Sequence, residues 1–185
     1  MKQKMTTEEE FKAVIGNCRE LFVKKMHDYG SAWRIMRPIS VTDQIYIKAN
    51  RIRSVEATGQ NMVGEDTAGE FVGIVNYAIM GLIQLEKGAS ETLADDMSAE
   101  DILKHYDKYA ESSLQLMTRK NHDYGEAWRN MRVSSYTDLI LMKIMRTKQI
   151  EDLKGNTLVS EGVSANYMDM INYAVFGLIK LTIEA

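Results

Sequence analysis

The sequence predicts an all-α protein built from a duplicated three-helix repeat. Only one proline occurs in 185 residues, and apolar side chains recur at helical spacing without the alternation typical of strands. Much of the sequence also occurs as an internal repeat, so the predicted helices fall into two equivalent sets. One repeat alone would leave much apolar surface exposed. We therefore expect the two halves to pack into one helical bundle with pseudo-twofold symmetry.

Two blocks define the repeat. HDYGSAWRIMR at residues 27–37 matches HDYGEAWRNMR at 122–132 in nine of eleven positions. NYAIMGLIQL at 76–85 matches NYAVFGLIKL at 172–181 in seven of ten positions. The offset is 95 residues at the first block and 96 at the second, so one residue is inserted between them in the second copy.

These matches divide the chain into three predicted segments. The first repeat covers residues 1–88, a short linker covers 89–97, and the second repeat covers 98–185. Residues at equivalent places in the two repeats are called counterparts below.

The first helix of each repeat has start and stop signals. Thr7–Glu10 and Ser98–Asp101 fit the capping-box pattern, in which a hydroxyl and an acid three residues later bond each other's backbone. Gly30 and Gly125 follow and are typical of helix C-termini. The single cysteine, Cys18, falls on the apolar face of this helix and is interpreted as a core residue.

The second helix is predicted over residues 42–56 and 137–151, because a Ser-x-Thr-Asp sequence precedes each stretch. Asp43 and Asp138 fit helix caps at these starts.

Lysine and arginine follow in the second helix at a spacing of three, which places them along one edge. They are Lys48 and Arg51 in the first repeat, and Lys143 and Arg146 in the second. Such a basic edge either binds phosphate or pairs with acids of a neighbouring helix, and the sequence leaves both readings open.

The third helix, predicted at 67–86 and 164–183, carries an asparagine inside an apolar stretch in each repeat. A buried amide without partners costs about 1–3 kcal/mol. Asn76 and Asn172 are therefore expected to have partners. One reading is an interhelical hydrogen bond that fixes the register of the repeats. The other is an amide that faces a ligand.

Acidic residues near the third helix differ between the repeats. Asp169 lies three residues before Asn172, on the same helical face, and its counterpart is Gly73. Glu161 and its counterpart Glu65 lie just before the helix, where an acid can also act as a cap.

Carboxylates on two neighbouring helices are the ligands that Mg²⁺ prefers, and it usually shares its coordination with substrate phosphates. The first repeat lacks two of the acids, because Ser31 and Gly73 stand at those places. A metal site is therefore predicted in the second repeat. Its acids are Asp123, Glu126, Asp138, Glu161 and Asp169.

Composition narrows the function further. The net charge of −3 gives no electrostatic reason to bind nucleic acid. The N-terminus has no apolar signal segment, and the longest apolar run, near residues 172–183, is too short to span a bilayer. The expectation is a cytoplasmic protein with no membrane partner, and homo-oligomeric assembly stays open.

The motif combination resembles the nucleotide modification associated domain family in two tandem copies. The resemblance rests on the DYG-x-x-W phrase, the Lys-x-x-Arg second helix and the Glu…Asp-x-x-Asn-Tyr-Ala third helix. That family is similar in pattern to the MazG-like all-α nucleoside triphosphate pyrophosphohydrolases. The resemblance implies a MazG-like fold, Mg²⁺ and a reaction on NTPs or dNTPs. Two features depart from it: Ile47 and Met142 replace an Asp before the lysine, and a Glu-x-x-Glu pair is absent from the second helix.

The leading hypothesis is a nucleotide-binding protein that acts as a Mg²⁺-dependent pyrophosphohydrolase. Metal held by Asp138, Glu161 and Asp169, with Glu126 as a further ligand, would activate water. The substrate would be bound by Lys143, Arg146 and Asn172 and by the counterparts Lys48, Arg51 and Asn76. The alternative is a non-catalytic helical binding or scaffold protein with a degenerate site, which the missing second-helix acids favour.

Overall fold

The computed structural model describes residues 4–59, 66–92, 96–158 and 162–185. Within these ranges the chain contains six α-helices and no strand, which confirms the all-α prediction. A 3₁₀ turn follows the first helix of each half, at Ala32–Ile35 and Ala127–Asn130. The helices are α1 Thr7–Tyr29, α2 Pro38–Thr58, α3 Thr67–Lys87, α4 Ala99–Tyr124, α5 Val133–Asp152 and α6 Val163–Thr182.

The helix pairings are unchanged when the halves are exchanged. α2 packs on α3 as α5 packs on α6, and α1 packs on α3 as α4 packs on α6. Contacts between the halves join α3 to α6, α2 to α5 and α1 to α4, and also join α1 to α6 and α3 to α4. α3 is long and apolar enough by composition to cross a membrane, and 61% of that stretch is buried inside the bundle. A helix at the core of a bundle has the same composition, because it is buried and apolar on all sides.

The first cap lies one residue earlier than predicted. The Thr6 hydroxyl accepts a hydrogen bond from the Glu9 backbone N–H at 3.3 Å, and the Glu9 carboxylate accepts one from the Thr6 N–H at 2.7 Å. Thr7 bonds Arg129 instead. At α4 the hydroxyl half of the predicted capping box is confirmed, because the Ser98 hydroxyl accepts from the backbone N–H three residues on.

α2 and α5 begin at Pro38 and Val133, four residues before the predicted starts. Proline is well suited to the first position of a helix, because its fixed φ is already helical and it has no N–H to leave unpaired. Asp43 and Asp138 therefore lie inside their helices, and the prediction that they cap them is wrong.

The two aspartates and two threonines join α2 to α5 across the halves. The Thr42 hydroxyl donates to Glu151 at 2.7 Å, and the counterpart Thr137 donates to Glu56 at 3.1 Å. Burial raises the pKa of both glutamates. The aspartates form ion pairs with the opposite helix, Asp43 with Lys148 at 2.6 Å and Asp138 with Arg53 at 3.8 Å.

α3 and α6 approach closely because each presents a glycine to an aromatic ring of the other. A Cβ at Gly81 would lie 2.8 Å from the Tyr167 ring, and one at the counterpart Gly177 would lie 3.1 Å from the Phe71 ring. Both rings are buried in the core. These paired contacts set the distance between the two central helices.

Gly81→Ala should lower the free energy of unfolding by about 1–2 kcal/mol, because overpacking a close contact outweighs the usual gain from alanine in a helix. The Tyr167 ring cannot withdraw easily, since its hydroxyl bonds Thr42 and the Pro38 carbonyl. Gly16→Ala is the matched control: this exposed position in α1 has nothing within 4 Å and should gain about 0.5–1 kcal/mol. Urea unfolding measures both, and equal gains in the two variants would contradict the close-contact account.

Candidate functional site

A cavity of about 850 Å³ opens in the first half, between α1, the following 3₁₀ turn and α3. Aromatic side chains form much of its wall, including Phe22, Trp33 and Tyr77. Two lysines also line it, Lys25 from α1 and Lys48 from α2. A site of this volume, with apolar walls and a few converging polar groups, is typical of small-molecule binding.

Small residues of α3 leave this space open. Gly69 and Gly73 both line the cavity, one helical turn apart. The aliphatic chain of Lys48 lies over Gly73, where an added Cβ would be 2.4 Å from its Cδ. Any larger residue at position 73 would therefore displace the lysine.

The described lining of the cavity carries more positive than negative charge. Lys25 forms no ion pair with any residue that the structure describes. The Lys48 ammonium lies 3.4 Å from the Glu70 carboxylate, which also accepts a hydrogen bond from Arg51. The acid in the wall is Asp66, whose carboxylate caps α3 through the Gly69 N–H at 2.7 Å. An anionic ligand would therefore meet lysine ammonium groups with spare capacity to bind it.

Larger side chains occupy the counterpart region of the second half. Asp169 takes the place of Gly73 and is only 6% exposed. Its carboxylate accepts from Lys120 at 2.6 Å and pairs with Lys143 at 2.7 Å, the counterparts of Lys25 and Lys48.

An aromatic side chain also occupies the space beside the tryptophan of the second half. Phe176 takes the place of Met80 and stacks on Trp128, with ring centroids 4.2 Å apart and an interplanar angle of 6°. In the first half, Trp33 borders the cavity together with Met80.

The structure does not bring together the predicted metal ligands that it describes, Asp138, Asp169 and Glu126. Asp138 is exposed and paired with Arg53 on α2, whereas Asp169 is held by the two lysines. Glu126 accepts from Thr7 and Arg129, and Glu161 lies outside the described residues. Among the residues that the structure covers, no three His, Cys, Asp or Glu side chains converge. The described residues therefore do not by themselves form the predicted cluster of carboxylates.

The predicted basic residues are mostly engaged by acids. Lys48 and Arg51 pair with Glu70, which is 4% exposed, and Lys143 pairs with Asp169. Arg146 is exposed. Of the two readings, pairing with a neighbouring helix describes the first three residues, although Lys48 also lines the cavity.

The two asparagines differ. The Asn76 amide donates to the Cys18 carbonyl at 3.1 Å and accepts from the Tyr106 hydroxyl at 2.8 Å, so it joins α3 to α1 and α4. Neither amide atom of Asn172 has a partner among the described residues. The counterpart of Tyr106 is Phe11, which has no hydroxyl to donate. Interhelical bonding therefore describes Asn76 but not Asn172.

Cys18 is fully buried, which confirms its assignment to the core. Burial raises the pKa of its thiol to about 12, so a nucleophilic thiolate is strongly disfavoured.

Sequence reasoning did not assign Lys25, Trp33 and Met80 to a site. A signal was present in the repeat alignment, where Met80 and Gly73 are smaller than their counterparts Phe176 and Asp169. Comparing side-chain size between the repeats, as well as counting acids, would have indicated the open half.

The fold and the cavity define an all-helical protein with a cationic, aromatic-walled pocket in one of two similar halves. The chain belongs to the nucleotide modification associated domain 1 family, whose model matches residues 25–85 and 120–181. No curated protein and no solved structure gave a match. The two matched segments include both sets of lysine, tryptophan and third-helix residues described above.

Proposed function

We propose that the protein binds a nucleotide in the cavity of the first half. One observation carries this proposal: Lys25 and Lys48 place ammonium groups in a cavity with aromatic walls. Lysine binds phosphate as a point charge, and a nucleobase stacks on an aromatic side chain. The family description, which refers to nucleotide modification, agrees with this ligand class.

The proposal includes the architecture expected from the sequence. The two halves would be copies of one MazG-like unit related by a pseudo-twofold axis. The repeated order of elements and the matched helix pairings support it. The copies would have diverged so that one keeps an open ligand cavity.

Binding without hydrolysis is the function that the described residues favour. Hydrolysis of a phosphoanhydride through Mg²⁺ requires carboxylates that converge on the metal. Asp169, the most buried of the predicted ligands that the structure describes, is instead neutralised by two lysines. The pyrophosphohydrolase hypothesis, with metal on Asp138, Glu161 and Asp169, stays a prediction.

Calorimetric titration with ribo- and deoxyribonucleoside mono-, di- and triphosphates tests the proposal. The wild-type protein should bind at one site per chain, with affinity that falls as salt rises. Lys25→Gln should weaken binding about tenfold, since a charge-assisted hydrogen bond contributes about 1.5–3 kcal/mol. The matched variant Lys120→Gln, altered at the counterpart, should bind like the wild type.

Two results would overturn the proposal: no binding of any nucleotide, or equal losses in the Lys25 and Lys120 variants. Pyrophosphate release with Mg²⁺ or Mn²⁺ should stay at background in the wild type and in Asp169→Ala. Release that requires Asp169 would instead establish hydrolysis.

A further inference from the structure

We infer that Asp169 and Phe176 are a built-in substitute for a ligand in the second half. The cavity of the first half would then take a ligand that carries the same two groups, a compact anion and a planar ring. This inference rests on the proposed function and narrows its ligand to a nucleoside monophosphate. The contacts that Asp169 and Phe176 make in the second half support this inference.

The anion is indicated by the lysines. In the second half, Lys120 and Lys143 both contact the Asp169 carboxylate, at 2.6 and 2.7 Å. Their counterparts Lys25 and Lys48 line the cavity, where Gly73 supplies no carboxylate. The same two cations are thus present without the anion that joins them. A phosphate group would restore that arrangement, because it can accept from both ammonium groups.

The ring is indicated by the tryptophans. Phe176 stacks face to face on Trp128, which is only 5% exposed. Trp33 is partly exposed and borders the cavity beside Met80. A thioether side chain is flexible and adapts to irregular space, so Met80 can shift as a ring enters. A nucleobase on Trp33 would take the place of the Phe176 ring.

The spacing of the two groups fits one nucleoside monophosphate. Asp169 and Phe176 are seven residues apart on α6, which is two helical turns and about 10.5 Å along the axis. Asn172 lies between them on the same face, with both amide atoms unpartnered. In the first half the counterpart Asn76 lines the cavity between Gly73 and Met80, so a ligand along α3 would pass it between its anion and its ring. Additional phosphates would find no third lysine or arginine in the described lining of the cavity.

Opening the second half tests the inference. The double variant Asp169→Gly with Phe176→Met gives α6 the first-half residues at both positions. Calorimetry with the tightest-binding nucleoside monophosphate should then show two sites per chain, where the wild type shows one. Adding Lys25→Gln to the double variant should weaken one of these sites about tenfold and leave the other unchanged.

Circular dichroism and thermal unfolding establish that the variant is folded. If glycine within α6 prevents folding, Asp169→Ala with Phe176→Met removes the same charge and ring and still leaves space for the anion without loosening the helix. One site in the folded variants, with one site in the wild type, would overturn the inference and leave the proposed function intact. If triphosphates bind the wild type more than tenfold tighter than monophosphates, the inference that the ligand carries a compact anion is wrong. A wild type that binds no nucleotide would instead overturn the proposed function.

Discussion

Gly73→Asp should weaken nucleotide binding at least tenfold, because it gives the first half the carboxylate that the second half already has. Lys48 lies over Gly73 and would have to move, which costs little because the far end of its chain is flexible. It could then pair with the new carboxylate, as Lys143 pairs with Asp169 at 2.7 Å. Lys25 would find the same partner, so the ligand anion would lose both cations and meet a like charge.

Gly73→Ala is the control for this prediction. It displaces the Lys48 chain in the same way but adds no charge, so its affinity should stay within a few-fold of the wild type. Calorimetric titration of both variants with the same nucleotide separates the steric effect from the electrostatic one. Equal losses in the two variants would show that Lys48 acts by position alone, and unchanged binding in Gly73→Asp would remove the anion from the cavity.

The order of the helices followed from the sequence because apolar spacing and glycine stops are local signals. Gly30 and Gly125 end α1 and α4 as predicted, each with a positive φ. α2 and α5 start four residues before the starts predicted from the capping patterns at Asp43 and Asp138, and only α2 has a proline that signals the earlier start. Those aspartates pair with the opposite helix, and no local pattern in one helix reveals its partner.

The site was harder to predict, because counting acids says nothing about what neutralises them. The second repeat has more acids, which led to the expectation of a metal there. Asp169 is instead enclosed by two lysines, and Glu126 belongs to an arginine cluster at the junction of the halves. The cavity lies where acids and large side chains are missing, and missing side chains are visible in a sequence only by comparison with the other repeat.

The two halves also differ in the acid that pairs with the lysine of the second helix. This acid lies one helical turn earlier in the first half than in the second. In the first half Glu70 pairs with Lys48, whereas in the second half Asp169 pairs with Lys143. The counterpart of Glu70 is Asn166, which bonds the backbone of Gly162. Each half thus neutralises its lysine, but only the first does so from a position that leaves the cavity open.

Arg129→Met should lower the free energy of unfolding by about 3 kcal/mol near neutral pH, since removing one partner of a buried ion pair leaves a charge uncompensated. The Arg129 guanidinium pairs with Glu10 at 2.6 Å, Glu126 at 3.0 Å and Glu184 at 2.5 Å. Glu10 is 3% exposed, so water cannot replace the arginine. The cluster joins the start of α1 to the second half. Its loss therefore removes ion pairs between elements that are far apart in sequence.

The pH dependence identifies the mechanism of that loss. Hydrogen bonds from Thr7 and Arg129 hold the pKa of Glu126 below its ordinary value of 4.5. A depressed carboxyl pKa contributes stability above the ordinary value, and this stability is lost as pH falls through the lower folded-state pKa. The gap between wild type and Arg129→Met, measured by urea unfolding, should therefore narrow below about pH 4.5. Arg129→Lys keeps the charge but offers no planar fork, so it should recover only part of the loss. A gap that stays constant with pH would assign the loss to packing of the arginine on Trp128, 4.4 Å from the ring centroid, and not to the carboxylates.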